Sequence, residues 1–125
     1  FDADSNVKMV CSIVGPTNFT DPAYLDAGPL MKPLIDSFGL NPEISFLEEI
    51  SPYHQAKPSS PPTILFYGGK DPLIPTTQGT AMWDKLQSLG VTNEFTLYAD
   101  KGHGWDGLEL IDTWVKLKIF INFFI

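Results

Sequence analysis

Two residues of types used in proton transfer, Asp71 and His103, each follow a predicted strand by four residues. Residues 63–67 form a continuous apolar run, which predicts a buried strand, and residues 93–99 alternate apolar and polar side chains. The carboxyl ends of parallel strands meet at the edge of the sheet where active-site crevices form, so we expect both side chains there. A carboxylate that accepts from Nδ1–H of an imidazole leaves Nε2 as a general base toward a hydroxyl. The pair therefore predicts the acid and the base of a Ser-Asp-His triad.

Glycines surround both candidate residues. A Gly-Gly pair lies just before Asp71, and His103 has a glycine on either side. Glycine permits tight backbone turns, which would aim both side chains into the crevice. Each residue, taken alone, also has a non-catalytic interpretation. Asp71 is then a turn residue before Pro72, and His103 is an ordinary loop histidine. Their matching positions after two strands favour the catalytic interpretation.

No Gly-x-Ser-x-Gly sequence, the turn that carries the nucleophile in many serine hydrolases, occurs in the 125 residues. Ser12 falls inside a predicted strand, and Ser51 precedes a proline, as a helix cap would. Ser59 and Ser60 lie at the amino end of a strand, away from the crevice. We therefore expect the nucleophile to lie outside this sequence and the isolated chain to be inactive.

Three other residues compete for a catalytic role. Asp100 is closer to His103 in sequence, but we expect it to follow the strand as it leaves the sheet. Asp106 has the spacing of a helix N-cap, with Glu109 completing a capping box. His54 is expected at the surface or in a lid, with substrate contact as the alternative. Two histidines without a third ligand pattern do not form a zinc site, and no glycine-rich phosphate loop occurs, so we predict no metal and no cofactor.

The composition argues against several classes of partner. The chain has a net charge of −7, with 8 basic residues, all of them lysines, and an isoelectric point near 4.5. Binding to nucleic acid or to an anionic membrane needs clustered Lys and Arg, so we expect neither. No apolar run reaches the length needed to cross a bilayer. Cys11 is the only cysteine, which excludes an internal disulfide.

The order of the predicted elements indicates an α/β fold. Residues 7–14 form an apolar, β-branched run that is typical of a strand buried on both faces. A helix is predicted from about residue 76 to 89, and a final helix from 107 to the carboxyl terminus. The final helix is apolar on most sides, so we expect it to be largely buried. The chain therefore predicts about three parallel strands with flanking helices.

Residues 17–60 are rich in proline and lack a long periodic pattern. Short helices are predicted within this stretch, at 30–38 and 43–50. A loop-rich stretch between two strands is typical of a cap or lid that shapes a substrate pocket. We therefore expect a single domain over residues 1–125, with a cap at 17–60.

Residues 61–105 resemble the end of an α/β-hydrolase. The resemblance is carried by Pro62-Thr-Ile-Leu-Phe-Tyr-Gly-Gly-Lys-Asp71-Pro-Leu-Ile-Pro75 and, after an amphipathic helix, by Tyr98-x-x-x-Gly102-His103-Gly104. The closest similarity is to acetyl esterases and dienelactone-hydrolase-like enzymes, with prolyl-oligopeptidase-type peptidases as near relatives. It implies that Asp71 is the acid and His103 the base. The family's elbow serine and oxyanion-hole donors have no counterpart here, so we interpret the chain as the carboxyl-terminal portion of the domain, without the nucleophile-bearing half.

The resemblance implies a serine hydrolase that acts on a small-molecule ester of acetyl type, with carbohydrate-linked acetates and peptides as alternatives. Trp105, beside His103, is a candidate for binding substrate in the acyl pocket, and packing in an aromatic core is the alternative. A non-catalytic α/β interaction module is a further interpretation. The first strand would leave an exposed apolar edge. We expect that edge to pair with the missing amino-terminal half or with a second copy of the chain.

Overall fold

Three parallel strands form the sheet, and the second strand in sequence lies between the other two. The strands are β1 (Val10–Ile13), β2 (Thr63–Gly68) and β3 (Asn93–Tyr98). This computed structural model describes residues 6–25, 32–37 and 43–125. The predicted α/β alternation with three parallel strands is confirmed.

Six helices occupy the described connections and the carboxyl terminus. They are α1 (Pro22–Leu25), α2 (Lys32–Ser37), α3 (Ile44–Glu49), α4 (Pro52–Gln55), α5 (Thr76–Ser88) and α6 (Gly107–Phe124). The helices predicted near 76–89 and after 106 are confirmed, and the two in the proline-rich stretch appear as α2 and α3. Part of the predicted 30–38 helix lies outside the described residues. The single turns α1 and α4 were not predicted, because four residues are too few to show a helical period.

All six residues of β2 are buried, so this strand forms the centre of the core. Its alternate side chains face opposite sides of the sheet. On one side they pack in a cluster with α5, which contains Leu65, Tyr67, Met82 and Leu86. On the other side they pack in a cluster with α6, which contains Ile64, Phe66, Leu117 and Phe120. The two long helices therefore cover opposite faces of the sheet, and the edge at which the strands end is left for the loops.

The helix α5 approaches the sheet closely at Gly79. A Cβ atom on this residue would lie 2.7 Å from Cγ of the Tyr67 ring, so no larger residue fits without displacing the ring. The Tyr67 hydroxyl donates to the carbonyl of Gly15 at 2.7 Å. Tyr67 thus links the centre of the sheet to the turn that follows β1.

The segment that follows β1 is held against α5 by Gln78, which is fully buried. Its Oε1 accepts from the backbone N–H groups of Thr17 and Asn18, each at 2.8 Å. Its Nε2 donates to the carbonyl of Asn18 at 2.9 Å and to Asp21 Oδ2 at 3.0 Å. Every polar atom of the amide has a partner, so its burial carries no desolvation penalty from an unpaired group. The start of the predicted cap is therefore fixed to the helix that follows Asp71.

The prediction that the first strand is buried on both faces was wrong. Within β1, Val10 is 38% exposed and Ile13 is 43% exposed. Only β2 pairs with this strand in the described part of the chain, and α5 and α6 pack over the other two strands instead. An apolar composition showed that β1 is suited to burial, but it could not show which element covers it.

The prediction that the final helix is largely buried was also wrong. Only one stripe of α6 is buried, formed by Thr113, Leu117 and Phe120 at helical spacing. A straight helix contacts a sheet along one such stripe, so its other apolar side chains stay accessible. These include Leu108, Ile111, Trp114, Val115, Ile119 and Phe123. Within the described ranges, no helix is both long enough and apolar enough to span a membrane.

Candidate active site

Asp71 lies in the loop between β2 and α5, and its carboxylate is fixed by three donors. The side chain is only 1% exposed. Oδ1 accepts from the backbone N–H groups of Leu73 at 2.8 Å and Ile74 at 2.9 Å. These two bonds set the orientation of the carboxylate and leave Oδ2 for a further donor. These two amide donors were not among the predicted contacts, although an aspartate followed by a turn before a helix is the sequence signal for them.

His103 supplies the donor to the second carboxylate oxygen. Its Nδ1 lies 2.9 Å from Asp71 Oδ2. Because an ionised carboxylate only accepts hydrogen bonds, Nδ1 carries the proton and Nε2 of the neutral ring is an acceptor. The His103 side chain is 41% exposed. None of the hydrogen bonds between described residues uses Nε2, so this nitrogen is open to a group from outside.

The two loops that carry these residues are joined through their backbones where they leave the sheet. Gly69 N donates to the carbonyl of Tyr98 at 2.9 Å, and Lys70 N donates to the carbonyl of Lys101 at 2.8 Å. The approach is closest at the Gly-Gly pair. A Cβ atom on Gly69 would lie 2.8 Å from Cα of Ala99. The glycines predicted to permit tight turns therefore allow the two loops to touch.

The turn around His103 is equally tight. Gly102 and Gly104 form an isolated antiparallel bridge, with His103 between them. Gly104 has a φ of +149°, a backbone conformation that side-chain-bearing residues rarely adopt. The histidine thus lies at the tip of a short turn that depends on glycine.

The structure distinguishes between the two acids that the sequence placed near His103. Asp100 forms an ion pair with Lys70, with Nζ and Oδ1 3.1 Å apart, and both side chains are exposed. No hydrogen bond between described residues joins Asp100 to the imidazole, whereas Asp71 Oδ2 is bonded to His103 Nδ1. The expectation that Asp100 follows the strand exit outward agrees with this placement.

The predicted capping box at the start of α6 is only half right. Asp106 occupies the N-cap position, but its side chain makes no capping hydrogen bond. Glu109 lies 3.6 Å from the Lys101 ammonium and thereby contacts the loop of His103.

His54 lies in α4, at the surface of the predicted cap. Its Nε2 is 2.9 Å from the hydroxyl of Thr20, which also donates to Asn18 Oδ1 at 2.6 Å. These bonds join α4 to the segment after β1. A contact between His54 and substrate stays a prediction.

Trp105 is held by packing and by its indole nitrogen. Its ring centroid is 4.8 Å from that of Tyr98, and Nε1 donates to Thr113 Oγ1 at 2.8 Å. These contacts favour the aromatic-core alternative of the sequence analysis. The role of Trp105 in substrate binding stays a prediction.

No hydrogen bond between described residues joins a serine to His103. The Ser51 hydroxyl is fully buried, accepts from the N–H of Phe19 at 2.8 Å and donates to the carbonyl of Leu47 at 2.6 Å. Ser51 also occupies the N-cap position of α4, as predicted, but without a side-chain capping bond. Its hydroxyl is therefore structural.

A pocket of about 390 Å³ lies beside β1, between that strand and the helices α4 and α5. Its lining includes Val10, Cys11, Met82 and Leu86, but neither Asp71 nor His103. The pocket therefore belongs to the uncovered side of β1 and not to the acid–base pair. No group of three or more metal-ligating side chains occurs in residues 6–25, 32–37 and 43–125.

Comparison with protein families gives one match. The model of the BD-FAE family matches residues 1–86, which is more than two-thirds of the chain and includes Asp71. No curated protein sequence matches the chain.

Solved structures share the fold at low sequence identity. A truncated carbohydrate esterase from gut microbiota superposes with a TM-score of 0.67 and 21% identity, over 90% of this chain and 43% of that one. A puromycin-hydrolysing peptidase from Mycobacterium tuberculosis superposes with a TM-score of 0.65 and 24% identity, over 78% of this chain and 15% of that one. An acetyl ester-xyloside bifunctional hydrolase from Caldicellulosiruptor lactoaceticus superposes with a TM-score of 0.55 and 23% identity, over 66% of this chain and 34% of that one. The chain thus spans less than half of each of these structures, and it shares their α/β-hydrolase fold.

Proposed function

Because this chain belongs to the BD-FAE family, we propose that Asp71 and His103 are the acid and the base of a serine hydrolase. The observation that carries the proposal is the 2.9 Å bond between His103 Nδ1 and the buried Asp71 carboxylate. It holds the tautomer in which Nε2 accepts a proton. The nucleophilic serine and the oxyanion-hole donors belong, in this proposal, to sequence that precedes the 125 residues. The chain is then the carboxyl-terminal portion of one domain.

The proposed reaction uses the pair twice. His103 Nε2 accepts the serine proton while the serine oxygen attacks the acyl carbon, and the imidazolium then protonates the departing alkoxide. A water molecule next gives a proton to Nε2 while its oxygen attacks the acyl carbon, and the imidazolium then protonates the serine oxygen as the acyl–serine bond breaks, which releases the acid and restores the serine and the neutral imidazole. Asp71 stabilises the imidazolium in both halves and does not itself take the proton. Its two amide donors keep the carboxylate in place while the charge on the ring changes.

The substrate in this proposal is a small acyl ester of acetyl type. The matched structures include a carbohydrate esterase and an acetyl ester-xyloside hydrolase, which supports esters, including sugar acetates. A peptidase of the prolyl-oligopeptidase type is the second candidate, supported by the puromycin-hydrolysing peptidase. We assign residues 17–60 to the cap. We also propose that Trp105, which packs on Tyr98 and is partly buried, turns its remaining surface toward the acyl site, because it lies two residues after His103.

A fluorophosphonate probe tests whether the nucleophile lies outside this chain. We expect the intact mass of the 125-residue chain to be unchanged after treatment, and p-nitrophenyl acetate turnover to equal that of buffer. Without a nucleophile or oxyanion donors, little rate enhancement is available. A longer protein that includes the preceding sequence should gain one probe per chain. A stoichiometric adduct on any serine of the 125-residue chain would contradict the proposal.

The open edge of β1 is proposed to pair with a further strand, from the amino-terminal half or from a second copy. Val10 and Ile13 are partly exposed there, and the 390 Å³ pocket lies alongside. An unpaired apolar edge of this kind promotes association. A non-catalytic interaction module would use the same edge but would not require the bond between Asp71 and His103.

Cys11, in the middle of β1, allows that pairing to be measured. The thiol is exposed, and desolvation by its apolar neighbours raises its pKa. We expect alkylation of Cys11 to be at least about tenfold slower in the associated chain than in the urea-denatured chain, because a paired strand must open before it reacts. Cys11 is the only cysteine, so no other thiol contributes. A stable monomer by size exclusion, with Cys11 alkylated at the denatured rate, would contradict pairing with a second copy; the same rate in a longer protein that includes the preceding sequence would contradict pairing with the amino-terminal half.

A further inference from the structure

Two side chains that flank the loop of His103 contact the same hydroxyl of α6. Tyr98, the last residue of β3, lies before the loop, and its phenol oxygen is 2.9 Å from Thr113 Oγ1. Trp105 lies after the loop, and its Nε1 donates to the same oxygen at 2.8 Å. Thr113 is only 2% exposed. A single buried hydroxyl therefore ties both ends of the loop to the helix.

The polar atoms of this cluster lie within hydrogen-bond distance of one another. Trp105 Nε1–H donates to Thr113 Oγ1, and the single hydroxyl proton of Thr113 goes either to the carbonyl of Glu109 at 2.8 Å or to the Tyr98 oxygen at 2.9 Å. When it goes to Tyr98, the hydrogen bonds run without a break from Trp105 to Asp112. The Tyr98 hydroxyl donates to Asp112 Oδ2 at 2.8 Å. The ammonium of Lys116 lies 2.7 Å from the same carboxylate oxygen. Bonds in such a chain polarise and strengthen one another, so the cluster acts as a unit.

The Asp112 carboxylate, at the end of this series of hydrogen bonds, is held in its ionised form. Hydrogen bonds from Lys116 and from Tyr98 lower the pKa of the Asp112 carboxyl.

Thr113 is an unexpected residue for the buried stripe of α6, because the other buried residues of the stripe, Leu117 and Phe120, are apolar. A buried hydroxyl needs partners, and, besides the carbonyl of Glu109, the partners of this one lie on either side of His103.

We propose that Thr113 is a positioning residue for His103. By holding both ends of the loop, its hydroxyl keeps the imidazole where Nδ1–H reaches Asp71. Two further side-chain contacts join this part of the chain to α6: the Tyr98–Asp112 hydrogen bond at 2.8 Å, which reaches only the first end of the loop, and the Lys101–Glu109 ion pair, with a separation of 3.6 Å and side chains 33% and 37% exposed. Exposed pairs of this kind contribute little. The inference rests on the proposed role of His103 as the base, although the geometry concerned belongs to this chain alone.

The tautomer of His103 measures this effect directly. In the 125-residue chain labelled with ¹⁵N-histidine, the imidazole nitrogen shifts report the ratio of the Nδ1–H form to the Nε2–H form at a pH where the ring is neutral. We expect Nδ1–H to predominate in the unsubstituted chain, because Asp71 accepts that proton. Thr113→Val should lower the ratio about tenfold, as loss of a buried network would. Thr113→Ser, which keeps the hydroxyl, should restore the ratio to within about twofold.

Two controls separate positioning from general destabilisation. Thr80 in α5 donates to the carbonyl one turn before it at 3.3 Å, as Thr113 does in α6, but it has no bond to the loop of His103. Thr80→Val should leave the His103 ratio unchanged. His54, the other histidine, bonds to Thr20 and serves as an internal reference whose shifts should not move. If Thr113→Val does not fold, Tyr98→Phe removes a hydroxyl from the same cluster and should lower the ratio in the same direction.

The outcomes for the two proposals differ. A His103 that is mainly Nε2–H in the unsubstituted chain would overturn the proposed function, and this inference with it. A predominant Nδ1–H form that neither Thr113→Val nor Tyr98→Phe changes would overturn the positioning role alone. An equal fall of the His103 tautomer ratio in Thr80→Val would also overturn the positioning role, since the effect would then reflect a general loss of stability.

Discussion

Replacement of Asp71 by Asn is expected to lower kcat by about 10⁴-fold in the proposed full-length hydrolase, with the fold retained. The amide oxygen of Asn can still accept from the N–H groups of Leu73 and Ile74, as Oδ1 of Asp71 does now. The NH₂ group would then face His103 Nδ1, where the carboxylate oxygen lies at present, 2.9 Å away. Two donors cannot share a hydrogen bond, so the imidazole would move its proton to Nε2 and lose its ability to accept from serine.

Asp100→Asn is the matched control for this substitution. Asp100 lies in the loop of His103, but its carboxylate is exposed and pairs with Lys70. We expect kcat to change by less than about twofold, because exposed ion pairs contribute little. Steady-state kinetics with p-nitrophenyl acetate, together with far-ultraviolet circular dichroism, would measure both variants. Similar losses in the two variants, or full activity in Asp71→Asn, would contradict the assignment of Asp71 as the acid.

Replacement of Gly68 by Ala is expected to destabilise the chain by about 3 kcal/mol and to move the loop of His103. A Cβ atom on Gly68 would lie 2.6 Å from the carbonyl oxygen of Lys101 and 2.9 Å from the carbonyl carbon of Gly102. Both are backbone atoms, which cannot rotate away as a side chain does. Relief therefore requires separation of the two loops, and with it loss of the bond between Asp71 and His103.

Gly102→Ala provides the comparison, because Gly102 is the partner in the same contact. A Cβ atom on Gly102 would have its nearest neighbour at 3.8 Å, which is ordinary van der Waals contact. We expect a change in unfolding free energy within about 1 kcal/mol. Urea titrations of both variants, followed by tryptophan fluorescence, would measure the difference. Equal stabilities for the two variants would show that the close approach at Gly68 does not exist.

The sequence predicted that Asp71 and His103 lie at neighbouring strand ends because each position depends on local patterns. The buried run of β2 and the alternation of β3 set where the strands end, and glycines mark the turns that follow. Parallel pairing then brings the two strand ends together, since Gly68 of β2 is in register with Tyr98 of β3. No local pattern identified Thr113, because a threonine in a helix has no signal for partners that lie in a neighbouring loop.

Burial was the property that the sequence predicted least well. The apolar residues of β1 and α6 were taken to be covered, yet Ile13 is 43% exposed and Phe123 is 81% exposed. Composition shows how much apolar surface a segment has, but burial of that surface requires another helix or strand to pack against it. The same limit applies to the capping box at Asp106, whose side chain makes no capping hydrogen bond although its type and spacing suit one.

The sequence by itself determined the α/β order of the elements and the two strand ends at which Asp71 and His103 lie. Both follow from periodicity and from turn chemistry within a few residues of each site. Only the tertiary structure decided that Asp71, and not the nearer Asp100, bonds to His103 across 32 positions of the chain. That choice depends on the parallel register of β2 with β3 and on the contact of their loops at Gly68. The packing of the whole sheet brings these two residues, distant in sequence, into contact, and no short stretch of sequence encodes that packing.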